Sequence, residues 1–307
     1  MAERRPFPLL IVILCLVGLG AAVYAYVRGL SADIEPAQAG VGPESSLHDA
    51  AERGDTAAIA AIVAQSPASL DAPFDSRDST RRGLTPLMAA AIAGKPEAVK
   101  ALAKAGARVD AFSSRDDKTA LMLASLSSDA ATVRALLDAG ARVDARTREG
   151  WTSLMFAATR GDPGVLSVLL AAGANVEFKN KWGQSALMIA SRAGDAPKVK
   201  ALIDARAPLN EVDDDGVTSL AFAAGSDTPV DVLRFLLSAG ADPKLADKEG
   251  VTPLMKAADR GDSEKLKALL DAGAPRDTRD KSGRTALDWA KSRDDEKGKE
   301  CAKLLGA

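Results

Sequence analysis

Short apolar runs alternate with polar breaks along most of this chain, and they do so at one spacing. Thr or Ser, then a small residue or Pro, then Leu occurs at Thr85-Pro86-Leu87, Thr119-Ala120-Leu121, Thr152-Ser153-Leu154, Ser185-Ala186-Leu187, Thr218-Ser219-Leu220, Thr252-Pro253-Leu254 and Thr285-Ala286-Leu287. The steps between them are 34, 33, 33, 33, 34 and 33 residues. So regular a period predicts a line of stacked structural units, each covering its apolar faces with its neighbours, in place of one globular core.

The third of these units shows what one period contains. Gly150 suits a turn and Thr152 an N-cap, so Leu154-Met155-Phe156-Ala157-Ala158 predicts a short Ala-rich helix. Gly161-Asp162-Pro163 ends that helix and starts another, because Gly accepts left-handed dihedrals, Asp caps, and Pro fits a first helical turn. The second helix, Val165 to Ala171, stops at Gly173-Ala174, and polar residues Asn175 to Lys181 then cross to the next unit as an extended finger. Alanines on the first helix permit close backbone approach, while Leu and Val on the second fill the space between units.

The residues resemble the ankyrin-repeat family, whose unit reads G-x-T-P-L-H-x-A-A, G, x-x-x-V-x-x-L-L, G-A and then a hairpin finger. The L-L-x-x-G-A part stands at Leu136-Leu137-Asp138-Ala139-Gly140-Ala141, Leu169-Leu170-Ala171-Ala172-Gly173-Ala174, Leu236-Leu237-Ser238-Ala239-Gly240-Ala241 and Leu269-Leu270-Asp271-Ala272-Gly273-Ala274. The resemblance runs from about Ser46 to the C-terminus and implies an all-α repeat solenoid of helix-turn-helix units with hairpin fingers. Eight units are expected over residues 46–307, counting an early one at Leu47-His48-Asp49-Ala50-Ala51, with the outer two as caps. The charged run Ser292 to Lys297 in the last unit is what a solvent-facing cap requires.

Two departures from the family pattern stand out. Where His usually follows Leu, this chain has Met88, Met122, Met155, Met188 and Met255, with Ala221 and Asp288 at the remaining positions. A buried thioether is expected to keep the packing and to forgo the hydrogen bonds that the family's His implies. The early unit keeps its His, His48, expected as a structural member of the first helix. Its Leu47 precedes Leu87 by 40 residues, so about seven extra residues fall within Ser66 to Arg82 and predict a longer exposed loop.

Ahead of the array lies a segment of another kind. Residues Pro6 to Val27 carry no charge, and at ~1.5 Å per residue such a run crosses a ~30 Å hydrocarbon core. Tyr24 and Tyr26 sit at its C-terminal edge, where an aromatic belt belongs, and Arg4 and Arg5 precede it. The expected layout is a cytoplasmic N-terminus at 1–5, a transmembrane signal-anchor helix at 6–28, a flexible linker at 29–45 and the array outside the cytoplasm, which in a bacterium is the periplasm. A cleaved signal peptide shares the basic start, but its apolar core usually runs only ~7 to 15 residues. Either reading exports the array. Cys15 and Cys301 are too far apart in kind and place to suggest an intrachain disulfide.

Charge and composition then narrow the function. Forty Lys and Arg against 42 Asp and Glu leave a net charge of -2, which gives no general attraction for nucleic acid. One His and two distant Cys argue against a metal cluster, and no phosphate loop or nucleophile elbow occurs, so neither an enzyme, a cofactor nor a small-molecule substrate is expected. The resemblance instead implies a concave binding face made by the fingers and first helices. On it fall Arg148, Trp151 and Arg160 of the third unit and Lys181, Trp182 and Arg192 of the fourth, a basic and aromatic group of the kind enriched at binding hot spots. The next finger, Glu211 to Asp215, is acidic, with Asp213-Asp214-Asp215 expected as a solvated turn. Two function classes follow: a membrane-tethered module that holds a protein partner, and a structural or protective accessory of an exported enzyme, for example in stress defence.

Overall fold

The computed structural model describes residues 43–74, 81–127, 129–159 and 162–306. The apolar run Pro6–Val27 and most of the linker lie outside the described residues, and among the described residues no helix is long and apolar enough to cross a membrane.

Among the described residues the chain forms eight antiparallel helix pairs. They are α1 (Pro43–Arg53) with α2 (Thr56–Gln65), α3 (Pro86–Ile92) with α4 (Pro96–Lys104), α5 (Ala120–Ser127) with α6 (Ala130–Asp138), and α7 (Ser153–Thr159) with α8 (Pro163–Ala171). The second half continues with α9 (Ala186–Ala193) and α10 (Ala196–Asp204), α11 (Ser219–Gly225) and α12 (Val230–Ser238), α13 (Pro253–Arg260) and α14 (Ser263–Asp271), and α15 (Ala286–Lys291) and α16 (Glu296–Leu305). Helix α1 begins at Pro43, inside the stretch assigned to the linker, because proline's fixed φ suits a first helical turn. Each first helix packs on the first helix of the next unit, and each second helix on the next second helix. The result is an all-α solenoid.

The two layers bury different residue types for a physical reason. Between first helices the contact is made by alanines such as Ala90, Ala124, Ala158, Ala190, Ala224 and Ala258, all inaccessible to solvent, which lets the backbones approach closely. Between second helices it is made by Val and Leu such as Val165, Leu166 and Leu169 of α8 and Val232, Leu233 and Leu236 of α12, also fully buried. Each such side chain contributes about 1.5 to 3 kcal/mol of burial. Two lysines join this layer. Lys198 and Lys265 are 1% exposed, and the Lys265 ammonium donates to the Ser226 carbonyl at 2.6 Å in the preceding unit. Burial pulls the Lys265 ammonium below the ordinary lysine range, against the attraction of Asp262.

The methionine column does more than fill space. In four units the N-cap hydroxyl accepts from the Met backbone N–H, and the thioether sulfur accepts the N-cap backbone N–H in return. The Thr–Met pairs are Thr85 with Met88, Thr119 with Met122 and Thr252 with Met255, each with an N···S distance of 3.4 Å. Ser185 with Met188 closes the same box at 3.5 Å. The expectation that Met merely packs is therefore corrected: sulfur, a weak acceptor, occupies the place of a capping-box side chain because Met's unbranched stem folds back to the N-cap. In the last unit Asp288 takes that place, accepting from the Thr285 N–H at 2.8 Å.

The long first loop is also more ordered at its start than expected. Pro67–Asp71 forms a 3₁₀ turn that buries Ser69 and Leu70, since Leu70 reaches the core while Pro67 presets the turn. Phe74 then pairs with Leu84 through its N–H, at 2.8 Å, and meets the His48 ring edge-on at 5.2 Å. His48 itself is fully buried, with Nε2 2.9 Å from the Leu84 carbonyl, a structural member of the first helix as expected. Residues 75–80 of the loop lie outside the described residues.

Polar side chains close the fingers. Asn180, Asp213, Asp247 and Asp280 stand at matching places, and each accepts two backbone N–H groups ahead of it; for Asp213 these come from Asp215 at 3.0 Å and Val217 at 2.8 Å. Asp213 is thus a buried turn closer, not the solvated residue expected of an acidic run, because its oxygen must enter the turn to reach those donors. Pairing between strands is confined, among the described residues, to single bridges at Lys179–Ser185 and Val212–Thr218, so the fingers are turns and not β-ladders.

At the far end, Asp295 caps α16 through the Gly298 N–H at 2.9 Å and holds Arg293, and Cys301 is buried beneath it as a free thiol. The Arg293 hydrogen bonds, with that from Gly298, hold the Asp295 carboxyl at about 2, against an ordinary 3.8. A depressed carboxyl stabilises the fold above the ordinary value, and the contribution fades as pH falls through about 4 to about 2. The thermal midpoint of Asp295→Asn is accordingly expected below that of the native chain above about pH 4, with the gap closing toward pH 2; a gap that is constant with pH contradicts the assignment. Replacing Met122 by Leu is expected to cost about 1 kcal/mol through the orphaned Thr119 N–H. The same change at Met155, whose sulfur accepts no such N–H, should cost less, and equal losses in denaturant titrations would exclude a thioether contribution.

Candidate partner-binding face

The finger turns and the first helices, the parts that the family resemblance places on the binding face, form a connected frame along the array. In the fourth unit Asn180 accepts from the Trp182 and Gln184 N–H groups, both at 3.0 Å, which folds the turn tightly and lifts the Trp182 side chain outward. Gly183 follows at φ +73°, and a Cβ there would lie 2.8 Å from the Asp214 backbone nitrogen of the next finger. That crowding reflects a chain of finger-to-finger bonds. Lys181 N–H donates to the Glu149 carbonyl at 2.8 Å, Asp214 N–H to the Trp182 carbonyl at 3.0 Å, and Lys248 N–H to the Asp215 carbonyl at 2.9 Å. The tips are fixed to one another, so the side chains they carry hold a constant spacing.

On this frame the aromatic rings meet. Trp151 stacks on Phe156 of α7 with centroids 5.1 Å apart and an interplanar angle of 25°. Its other neighbour is Trp182, edge-on at 6.5 Å. Trp151 is half-buried, while Trp182 is 39% exposed. Cations frame the group: Lys181 lies 4.5 Å over Trp182 and Lys118 lies 5.7 Å from the Phe156 centroid. In the fifth unit Phe222 takes the place that Phe156 holds in the third, with Arg192 above it at 5.4 Å. Burial lowers the Arg192 pKa from the ordinary arginine value, with Asp213 pulling the other way.

The indole N–H groups distinguish this face from the end of the array. Trp289 donates its N–H to Asp280 at 3.1 Å and lies under Arg284 at 3.9 Å, a self-contained group. Trp151 and Trp182 find no acceptor for theirs among the described residues. The exposed charges are mostly paired: Arg148 with Asp117 at 3.7 Å, Lys181 with Glu149, and Lys179 with Glu211 at 2.9 Å.

Family models described as Ankyrin repeats (3 copies) match residues 47–147, 154–247 and 220–306, and one described as Ankyrin repeats (many copies) matches residues 127–170. The chain belongs to the ankyrin-repeat family. A comparison with curated proteins returns no match. The models that match are repeat models, and ankyrin arrays are protein-binding surfaces.

Of the residues the sequence nominated on this ankyrin face, Trp151 and Trp182 are in contact and Lys181 touches Trp182. Arg148 projects almost fully into solvent from the same finger as Trp151, and Arg192 stands at the end of α9 beside the next unit. Arg160 lies outside the described residues. Sequence reasoning missed Phe156, Phe222 and Lys118. The one signal for the two aromatics is the register: of the six positions that follow a first-helix Met or Ala221, two hold Phe, where the others hold Ala89, Leu123, Ile189 and Lys256.

Because Trp151 is stacked and half-buried, Trp151→Ala is expected to destabilise the array by about 2 kcal/mol or more, whereas Trp182→Ala should change stability by about 1 kcal/mol or less. Denaturation of the two variants tests this, and a larger loss at position 182 would show that Trp182 is a packing residue.

Proposed function

We propose that this ankyrin array binds a protein partner on the concave face of its third to fifth units, with Trp151, Trp182 and Phe156 as the apolar centre and Arg148, Lys181 and Arg192 around it. The observation that carries the reading is the pair of contacting tryptophans whose N–H groups have no acceptor among the described residues, in a chain where the third Trp spends its own internally. A partly dry aromatic cluster with open donors gains most from a partner that covers it. The uncharged run Pro6–Val27 supports a tether to a membrane through an N-terminal helix, and the preceding Arg4 and Arg5 support an array held outside the cytoplasm.

Crosslinking in intact cells, followed by identification of the captured protein, tests the reading. A discrete stoichiometric partner is expected with the native chain, and its capture should fall at least tenfold with the Trp151→Ala/Trp182→Ala chain while helical content persists. Undiminished capture would place the binding surface elsewhere.

A further inference from the structure

Arg192 differs from the other arginines of the array. Among the described residues every other arginine either holds an oxygen acceptor, as Arg81, Arg142, Arg284 and Arg293 do, or stands exposed to water. Arg192 is half-buried over Phe222 and has no hydrogen-bonding acceptor among the described residues. Asp213 attracts it, but one oxygen of that carboxylate is committed to the Asp215 and Val217 N–H groups. A guanidinium carries five N–H donors and stays charged, so partial burial without an acceptor is a cost that an incoming anion relieves. A carboxylate fits the planar fork with two parallel hydrogen bonds. A phosphate dianion fits less well, because Asp213, Asp214 and Asp215 of the adjoining finger repel a second negative charge more strongly.

The aromatic pair lies near the other end of the same first helix. From its N-cap Ser185 to Arg192, α9 rises ~1.5 Å per residue, about 10 Å in all. Trp182 lies three residues before that N-cap, so an extended segment at ~3.3 Å per residue needs at least about three residues to run from the aromatic pair to Arg192.

We infer that the partner presents an extended segment in which a bulky apolar side chain and an Asp or Glu stand at least about three residues apart, the apolar group on Trp151 and Trp182 and the carboxylate on Arg192. This rests on the protein-binding reading above and adds the chemistry of the bound segment.

The test is selection of displayed random dodecamer peptides on the full chain and on its Arg192→Gln and Trp151→Ala/Trp182→Ala variants, with thermal unfolding of each as a control on folding. Peptides enriched on the native chain are expected to carry the apolar–acidic spacing. A synthetic peptide of this kind should bind Arg192→Gln about tenfold or more weakly, while its Gln-for-Glu analogue binds native and variant chains alike. Peptides that need Trp151 and Trp182 but show no acidic preference, or one that survives Arg192→Gln, overturn the carboxylate assignment and leave the protein-binding reading intact. Failure to enrich any peptide, or enrichment indifferent to the tryptophans, overturns both.

Discussion

No unit of this chain can bury its own apolar faces. A pair of helices such as α7 and α8 has a neighbour on each side, and its alanines on one layer and its Val and Leu on the other become inaccessible only when both neighbours are in place. Every other feature follows from that dependence. The period must be nearly constant because the stacking distance is. The Thr or Ser hydroxyl cap recurs in all seven units from Thr85 to Thr285 because each of these first helices starts at the same height against the last. The last described unit carries its charges around the second helix, which Asp295 caps.

The same stacking prepares the face made by the fingers and first helices. Finger turns closed from within by Asn180, Asp213, Asp247 and Asp280 are tied tip to tip by backbone hydrogen bonds, so side chains on successive fingers are held in register without strand pairing. Rings placed on such a frame lose little freedom on binding, which is what preorganisation contributes to affinity. The array can vary these side chains from unit to unit without disturbing the core. The third to fifth units have done so: the position after each first-helix Met or its counterpart holds Phe156, a buried Ile189 and Phe222, and only there do two Trp meet.

The repeat, the two helices of each unit, the Asp caps and the buried His48 were legible in the sequence, because each rests on local chemistry at fixed spacing. The face was legible in part: Trp151 and Trp182 could be placed on adjacent units, but the stacking partner Phe156 looked like one more core residue. Three features were hidden for a common reason, which is that they depend on where a side chain turns after the backbone is set. The thioethers fold back onto the N-cap N–H groups. Asp213 enters its turn although it heads an acidic run, and Lys265 crosses to a carbonyl in the unit before it. Helical periodicity assigns a face to such residues and says nothing of the acceptor at the end of a long or polar side chain.

The central claim is that the partner covers the fingers and first helices of the third to fifth units. Backbone hydrogen–deuterium exchange of the full chain, alone and with its captured partner, measures this directly. The account predicts added protection in segments 146–151 and 179–184 and at the end of α9, with α8 and α10 on the opposite layer unchanged. Protection confined to α8 and α10 would contradict it.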